Sequence, residues 1–117
     1  MIIATVVASV LVALVSAASG IPKIAGTAPM VEEAAHLGLP RIAYTVIGSL
    51  ELAAAAGLLA GLAVPPLGSA AAAGLVLMMT GAVISHLRVR DPFAATAPAL
   101  IVGIAGAVTL GLRLATT

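Results

Sequence analysis

The sequence predicts an all-α fold, a four-transmembrane-helix antiparallel bundle with a short interfacial helix between spans one and two. Three observations predict it. Hydrophobic residues make up 62% of the 117-residue chain and charged residues 8%. With a mean hydropathy of +1.29, four acidic and five basic side chains cannot cover the apolar surface in water, so the solvent is lipid. The apolar residues also fall into four runs, each near the ~20 residues that cross a bilayer as a helix. The third observation is one amphipathic stretch, residues 28–38, between the first two runs. Residues 1–117 read as a single membrane domain. A net charge of +1 with no clustered basic face excludes nucleic-acid binding. Without cysteine there is no disulfide, thiolate metal site or thiol relay within the chain.

The first span is expected over about 2–20. It ends in Ser16-Ala17-Ala18-Ser19-Gly20, which resembles a cleavage site, but no Lys or Arg precedes the apolar core as a secretory signal would require, so it reads as a spanning helix. Pro22 is expected to end or kink it, because proline disfavours helical geometry in the residue before it. In the amphipathic stretch, Pro29 near the start suits a helix opening, Glu32 and Glu33 suit the positive end of its dipole, and Gly38 suits its stop. It is too short to span and is expected to lie at the interface.

The second span is expected over about 42–64, the third over 67–87 after a Pro65-Pro66 connection, and the fourth over 94–114. Ala53, Gly57 and Gly61, and again Gly103, Ala107 and Gly111, form small-residue ridges that permit close helix approach. Arg113 is expected to snorkel to the interface at the end of the fourth span. An even number of spans puts both termini on one face. The other face carries Lys23, Arg41, Arg88 and Arg90, so the positive-inside rule expects cytoplasmic charged loops and external termini in the cell's inner (plasma) membrane.

Glu51, near the middle of the second span, is the residue that calls for a function. A carboxylate there costs roughly 2.5–3.5 kcal/mol on insertion scales and turns to the bundle interior, where it has a partner or a task. Tyr44, Gly48 and Glu51 share one helix face, and Glu51 lies about 15 Å along the helix from Arg41. A polar cavity floored by Glu51 and lined by Tyr44 is therefore expected, opening towards the face of Lys23, His86 and Arg88. Glu51 and His86 are the acid/base candidates; Lys23, Tyr44, Glu51, His86 and Arg88 are the ligand-binding candidates. The competing expectation makes Glu51 a structural staple to Lys23 or His86, and Arg88 and Arg90 topology anchors. Met78 and Met79 read as packing. No HExxH, phosphate-cradling loop or serine triad occurs, and the spacing of the two histidines does not support haem. Neither metal nor haem is expected.

Gly20-Ile21-Pro22-Lys23, His36-Leu37-Gly38-Leu39-Pro40, Gly48-Ser49-Leu50-Glu51-Leu52 and His86-Leu87-Arg88 with Asp91 together resemble the DoxX-like family of small four-helix membrane proteins. The resemblance covers essentially the whole chain and implies architecture more than chemistry. It implies an accessory subunit of a quinone-linked redox assembly, with quinone as the cofactor class, a redox-complex partner, and a polar site at Lys23, Glu51, His86 and Arg88. The alternative is a membrane-embedded binder or isomerase-type enzyme for a lipophilic small molecule, with Glu51 as acid/base. A third reading makes a homo-oligomer, assembled on the small-residue ridges, the functional unit.

Overall fold

The computed structural model describes residues 1–116 and contains five helices: α1 (Ile2–Ala25), α2 (Ala28–His36), α3 (Arg41–Ala60), α4 (Pro65–Arg88) and α5 (Phe93–Thr116). All but α2 are long and apolar enough to cross a membrane. Large apolar side chains such as Ile3, Leu14, Leu77 and Ile104 point outward, as expected where the surroundings are lipid tails.

Three boundaries differ from the sequence expectation. The first helix runs through Pro22 to Ala25. Proline removes one intrahelical bond, but leaving the helix within a membrane would orphan several, so continuing costs less. The helix stops at Gly26, which adopts φ 68° and donates its N–H to the Pro22 carbonyl. A Cβ there would also meet the Arg41 guanidinium. The third helix ends at Ala60 rather than 64, because residues 61–64 fold back in turns that bond their N–H groups to Gly57, Leu59 and Ala60. Pro65 and Pro66 then open α4 rather than link two helices, since the first helical turn has no use for their missing N–H groups. The interfacial α2 closes at His36, with Gly38 at φ 73° and Leu39 N–H bonding the Ala34 carbonyl.

Around the bundle axis the spans follow the order α1, α3, α4, α5, and α5 closes back on α1. No Cα of α1 approaches α4 closely, nor does one of α3 approach α5, so the axis is filled by side chains. Its middle is apolar: Val12, Ala13, Ala54, Leu58, Ala72, Leu75 and Met79 are buried there.

The closest crossing is α1 on α3. A Cβ on Gly20 would stand 2.7 Å from the Gly48 carbonyl oxygen, and one on Gly48 would stand 2.6 Å from the Gly20 carbonyl oxygen. Only glycine at both positions permits this approach. The Ser16 hydroxyl fastens the same crossing by donating to the Glu51 carbonyl at 2.7 Å.

The α3 ridge is used within the chain. Gly57 faces Ala71, and Gly61 faces Gly68 of α4, while Ala53 points outward. On α5, Gly103 rests on Met79, and Gly111 has open space where a Cβ would be.

Arg113 does not snorkel. It is 3% exposed, and its Nη2 donates to Ser9 Oγ at 2.8 Å and to the Leu58 carbonyl. Its guanidinium occupies the slot left by two absent side chains, since a Cβ on Gly61 or Gly68 would collide with it. The cause is local. Leu58 lies in the last turn of α3, whose carbonyls lack intrahelical donors and carry the negative end of the dipole, and Arg113 supplies both.

Candidate functional site

Three residues after Gly20 along α1 comes Lys23, and three after Gly48 along α3 comes Glu51. The glycine crossing therefore delivers the two side chains to each other. Lys23 Nζ lies 2.8 Å from Glu51 Oε1, donates to Ser19 Oγ at 2.7 Å and sits 5.8 Å from the centre of the Tyr44 ring. Glu51 is 1% exposed and Tyr44 5%. The ammonium stands at ion-pair distance from buried Oε1 but outside hydrogen-bond geometry. Distance sets the Coulombic attraction and angle sets the hydrogen bond; this oxygen has the first and lacks the second.

A cavity of about 420 Å³ adjoins the pair. Its walls are mostly apolar, with Val15, Ile47, Met78, Met79, Ala82 and Val102 among them, and its polar side chains are Ser19, Lys23, Glu33, Tyr44, Glu51, Ser85 and His86. Of the five sequence candidates, Lys23, Tyr44, Glu51 and His86 border it. Arg88 does not; it is exposed and lines a separate crevice of about 250 Å³ with Leu37, Gly38 and Ser85.

A pairing between Glu51 and His86 does not form. His86 Nδ1 instead lies 2.6 Å from Asp91 Oδ2, because α4 ends in a tight cap at Arg90, φ 57°. There the Asp91 N–H bonds the His86 carbonyl and folds the aspartate back over the ring. His86 Nε2 faces Glu33 Oε1 at 3.6 Å, and the other oxygen of Asp91 lies 2.5 Å from Nε2 of His36, whose side chain is 56% exposed. Hydrogen bonds from His36 and then His86 hold the Asp91 carboxyl below the usual carboxylate range. The result is a chain of titratable groups from the charged face, His36–Asp91–His86–Glu33, ending at the cavity.

Among the described residues no cluster of three metal-ligating side chains occurs. Sequence reasoning left out Glu33 and Asp91 as site residues; Met78 and Met79, read as packing, do pack in the core and also border the cavity. The partners of His86 come from α2, far away in sequence, and from the turn after α4, and no motif marks that meeting.

A model of the DoxX-like family matches residues 7–110. The chain belongs to the DoxX-like family. That span takes in Lys23, Glu51, His86 and Asp91 and part or all of every helix. With its four spanning-length apolar helices, this DoxX-like chain is a multi-pass membrane protein. No curated protein and no solved structure matches it.

Proposed function

We propose that this DoxX-like protein binds a lipophilic small molecule with an oxygen-bearing head, and that quinone-type compounds are the class it fits. The observation that carries this reading is Glu51, a buried carboxylate with the Lys23 ammonium 2.8 Å from its Oε1, among the residues lining a mostly apolar cavity of about 420 Å³. A hydrogen bond to a charged group contributes about 1.5–3 kcal/mol, and a ligand hydroxyl donating to the Glu51 carboxylate would supply one. Lys23, an obligate donor, suits a carbonyl or ring oxygen of the same head, and the apolar walls suit a ring and tail. Quinone and quinol between them offer both kinds of oxygen. An accessory role in a membrane redox assembly follows on this reading if the bound quinone is exchanged with a redox partner protein.

Equilibrium binding of a short-tailed ubiquinone analogue to the purified protein in nanodiscs tests the reading. Saturable binding is expected, weakened at least about tenfold, or ~1.4 kcal/mol, by Ala82→Trp, which places bulk at the cavity wall. Absence of saturable binding, or equal binding by a normally folded Ala82→Trp variant, sinks it.

A second reading rests on the Asp91–His86 pair. An acid orienting Nδ1 and leaving Nε2 towards a cavity is the arrangement of a positioned general base, and with Glu51 it supports proton transfer on a bound ligand. A Glu51→Gln variant that binds the ligand and converts it as fast as the native protein would remove Glu51 from any such step.

The orientation we propose has the charged loops in the cytoplasm. With Lys23 paired in the bundle and Arg113 buried, the exposed basic residues are Arg41, Arg88 and Arg90, all on the charged-loop face. Because the chain has no cysteine, single cysteines at Glu32 and Ala115 can report sidedness. An impermeant maleimide added to intact cells is expected to label the Ala115→Cys variant and spare Glu32→Cys; the reverse pattern inverts the topology.

A further inference from the structure

At the other end of the bundle, Arg113 is 3% exposed, and no acidic side chain neutralises its guanidinium. The chain has four acidic residues. Glu51 faces Lys23, Glu33 faces His86, and Asp91 faces His36 and His86. Glu32 belongs to α2, on the opposite membrane face. The α3 carbonyl and the Ser9 hydroxyl engage only Nη2, while guanidinium offers five N–H donors. Its Nε is buried with no hydrogen bond.

A cavity of about 210 Å³ reaches Arg113. It lies between the start of α1, the α3–α4 turn and the end of α5, bordered by Ile2, Val6, Leu62 and Pro65, with Thr5 and Thr116 at its rim, whose hydroxyls donate to the carbonyls of Met1 and of Leu112 and Arg113. A cation without an acidic counter-charge among the described residues, set behind a small cavity with an alkyl-lined rim, is complementary to an anionic head on a hydrocarbon chain.

We propose that this end of the bundle binds an anionic amphiphile, whose carboxylate or phosphate lies against Arg113 and whose chain lies along Ile2, Val6 and Leu62. Two sources share this chemistry, a fatty acid and an anionic phospholipid. The site is separate from the cavity at Glu51, and its occupancy is read without reference to any quinone.

The test uses the full chain in phosphatidylcholine nanodiscs doped in turn with palmitate and with phosphatidic acid, with inorganic phosphate added alone as a third arm. Retained ligand is read by native mass spectrometry and melting temperature by a thermal scan. At least one of the amphiphiles is expected to be retained about tenfold over phosphatidylcholine and to raise the melting temperature. Preference for palmitate assigns the fatty acid, and preference for phosphatidic acid assigns the phospholipid. Stabilisation by inorganic phosphate equal to that of both amphiphiles overturns the amphiphile assignment.

Arg113→Gln removes the charge but also the cap on α3, so a variant that leaves Arg113 in place is needed. Thr116→Glu puts a carboxylate at the cavity rim from an exposed position and is expected to displace the added anion, while Thr116→Gln keeps it. Equal retention by the Glu and Gln variants, or no preference for anionic over zwitterionic lipid, overturns the proposal.

Discussion

Gly48→Ala is expected to lower the melting temperature by about 8 °C and to loosen the Lys23–Glu51 pair with it. The added methyl would meet the Gly20 carbonyl oxygen at 2.6 Å, Lys23 Cβ at 2.9 Å and Ile24 Cγ1 at 3.0 Å. The first of these is backbone and cannot rotate away, so the two helices have to part. Overpacking of this kind costs typically 1–3 kcal/mol; about 2 kcal/mol corresponds to the stated shift in a chain of this size. Alanine is the better helix former by up to about 1 kcal/mol, which works against the loss. Gly74→Ala is the matched control, because nothing lies within 4 Å of its Cβ and only the propensity gain applies. A scan in which both variants melt together would mean that the crossing tolerates a methyl group and that the approach of α1 to α3 does not position the pair.

The second large effect is expected at the pair itself. Lys23→Met and Glu51→Gln each leave the other group without its partner inside the bundle, at a cost of about 3 kcal/mol. The double variant removes both charges and should cost well under the sum, giving a coupling of about 2 kcal/mol in a double-mutant cycle. Additive losses would show that the 2.8 Å approach contributes little and that each residue serves its own neighbours. The double variant also separates two roles of these side chains. If it still folds yet no longer binds the quinone analogue, the pair is dispensable to the architecture and needed for the ligand.

The fold was legible because four apolar runs of spanning length have few alternatives in lipid, where backbone polar groups must be satisfied within the segment. The Gly38 stop and the burial of Tyr44, Gly48 and Glu51 on one face followed from local chemistry and helical period. Pro22 misled, since its cost is weighed in water as a helix end and in lipid as one lost bond. Arg113 misled for a different reason: a basic residue near a span's end looks the same in sequence whether it snorkels or turns inward. The one signal for turning inward was the pair Gly61 and Gly68, on either side of the start of α4, which together leave room for a guanidinium. Lys23 was one of two partners expected for Glu51. Choosing it over His86 required the Asp91 turn, whose geometry no residue pattern announces.

The location of the ionisable groups also orders the events of synthesis. Lys23 and Glu51 lie on α1 and α3, so both emerge before α4 and α5, and the acid can find its base while the C-terminal half is still unmade. Folding during synthesis favours such early closure. Among the described residues Arg113 is the last charged side chain to be made, and both groups its Nη2 binds, Ser9 and Leu58, precede it into the membrane. Its entry into the slot between Gly61 and Gly68 is then the step that locks the final helix to the other three, and a chain arrested before residue 113 lacks that bolt.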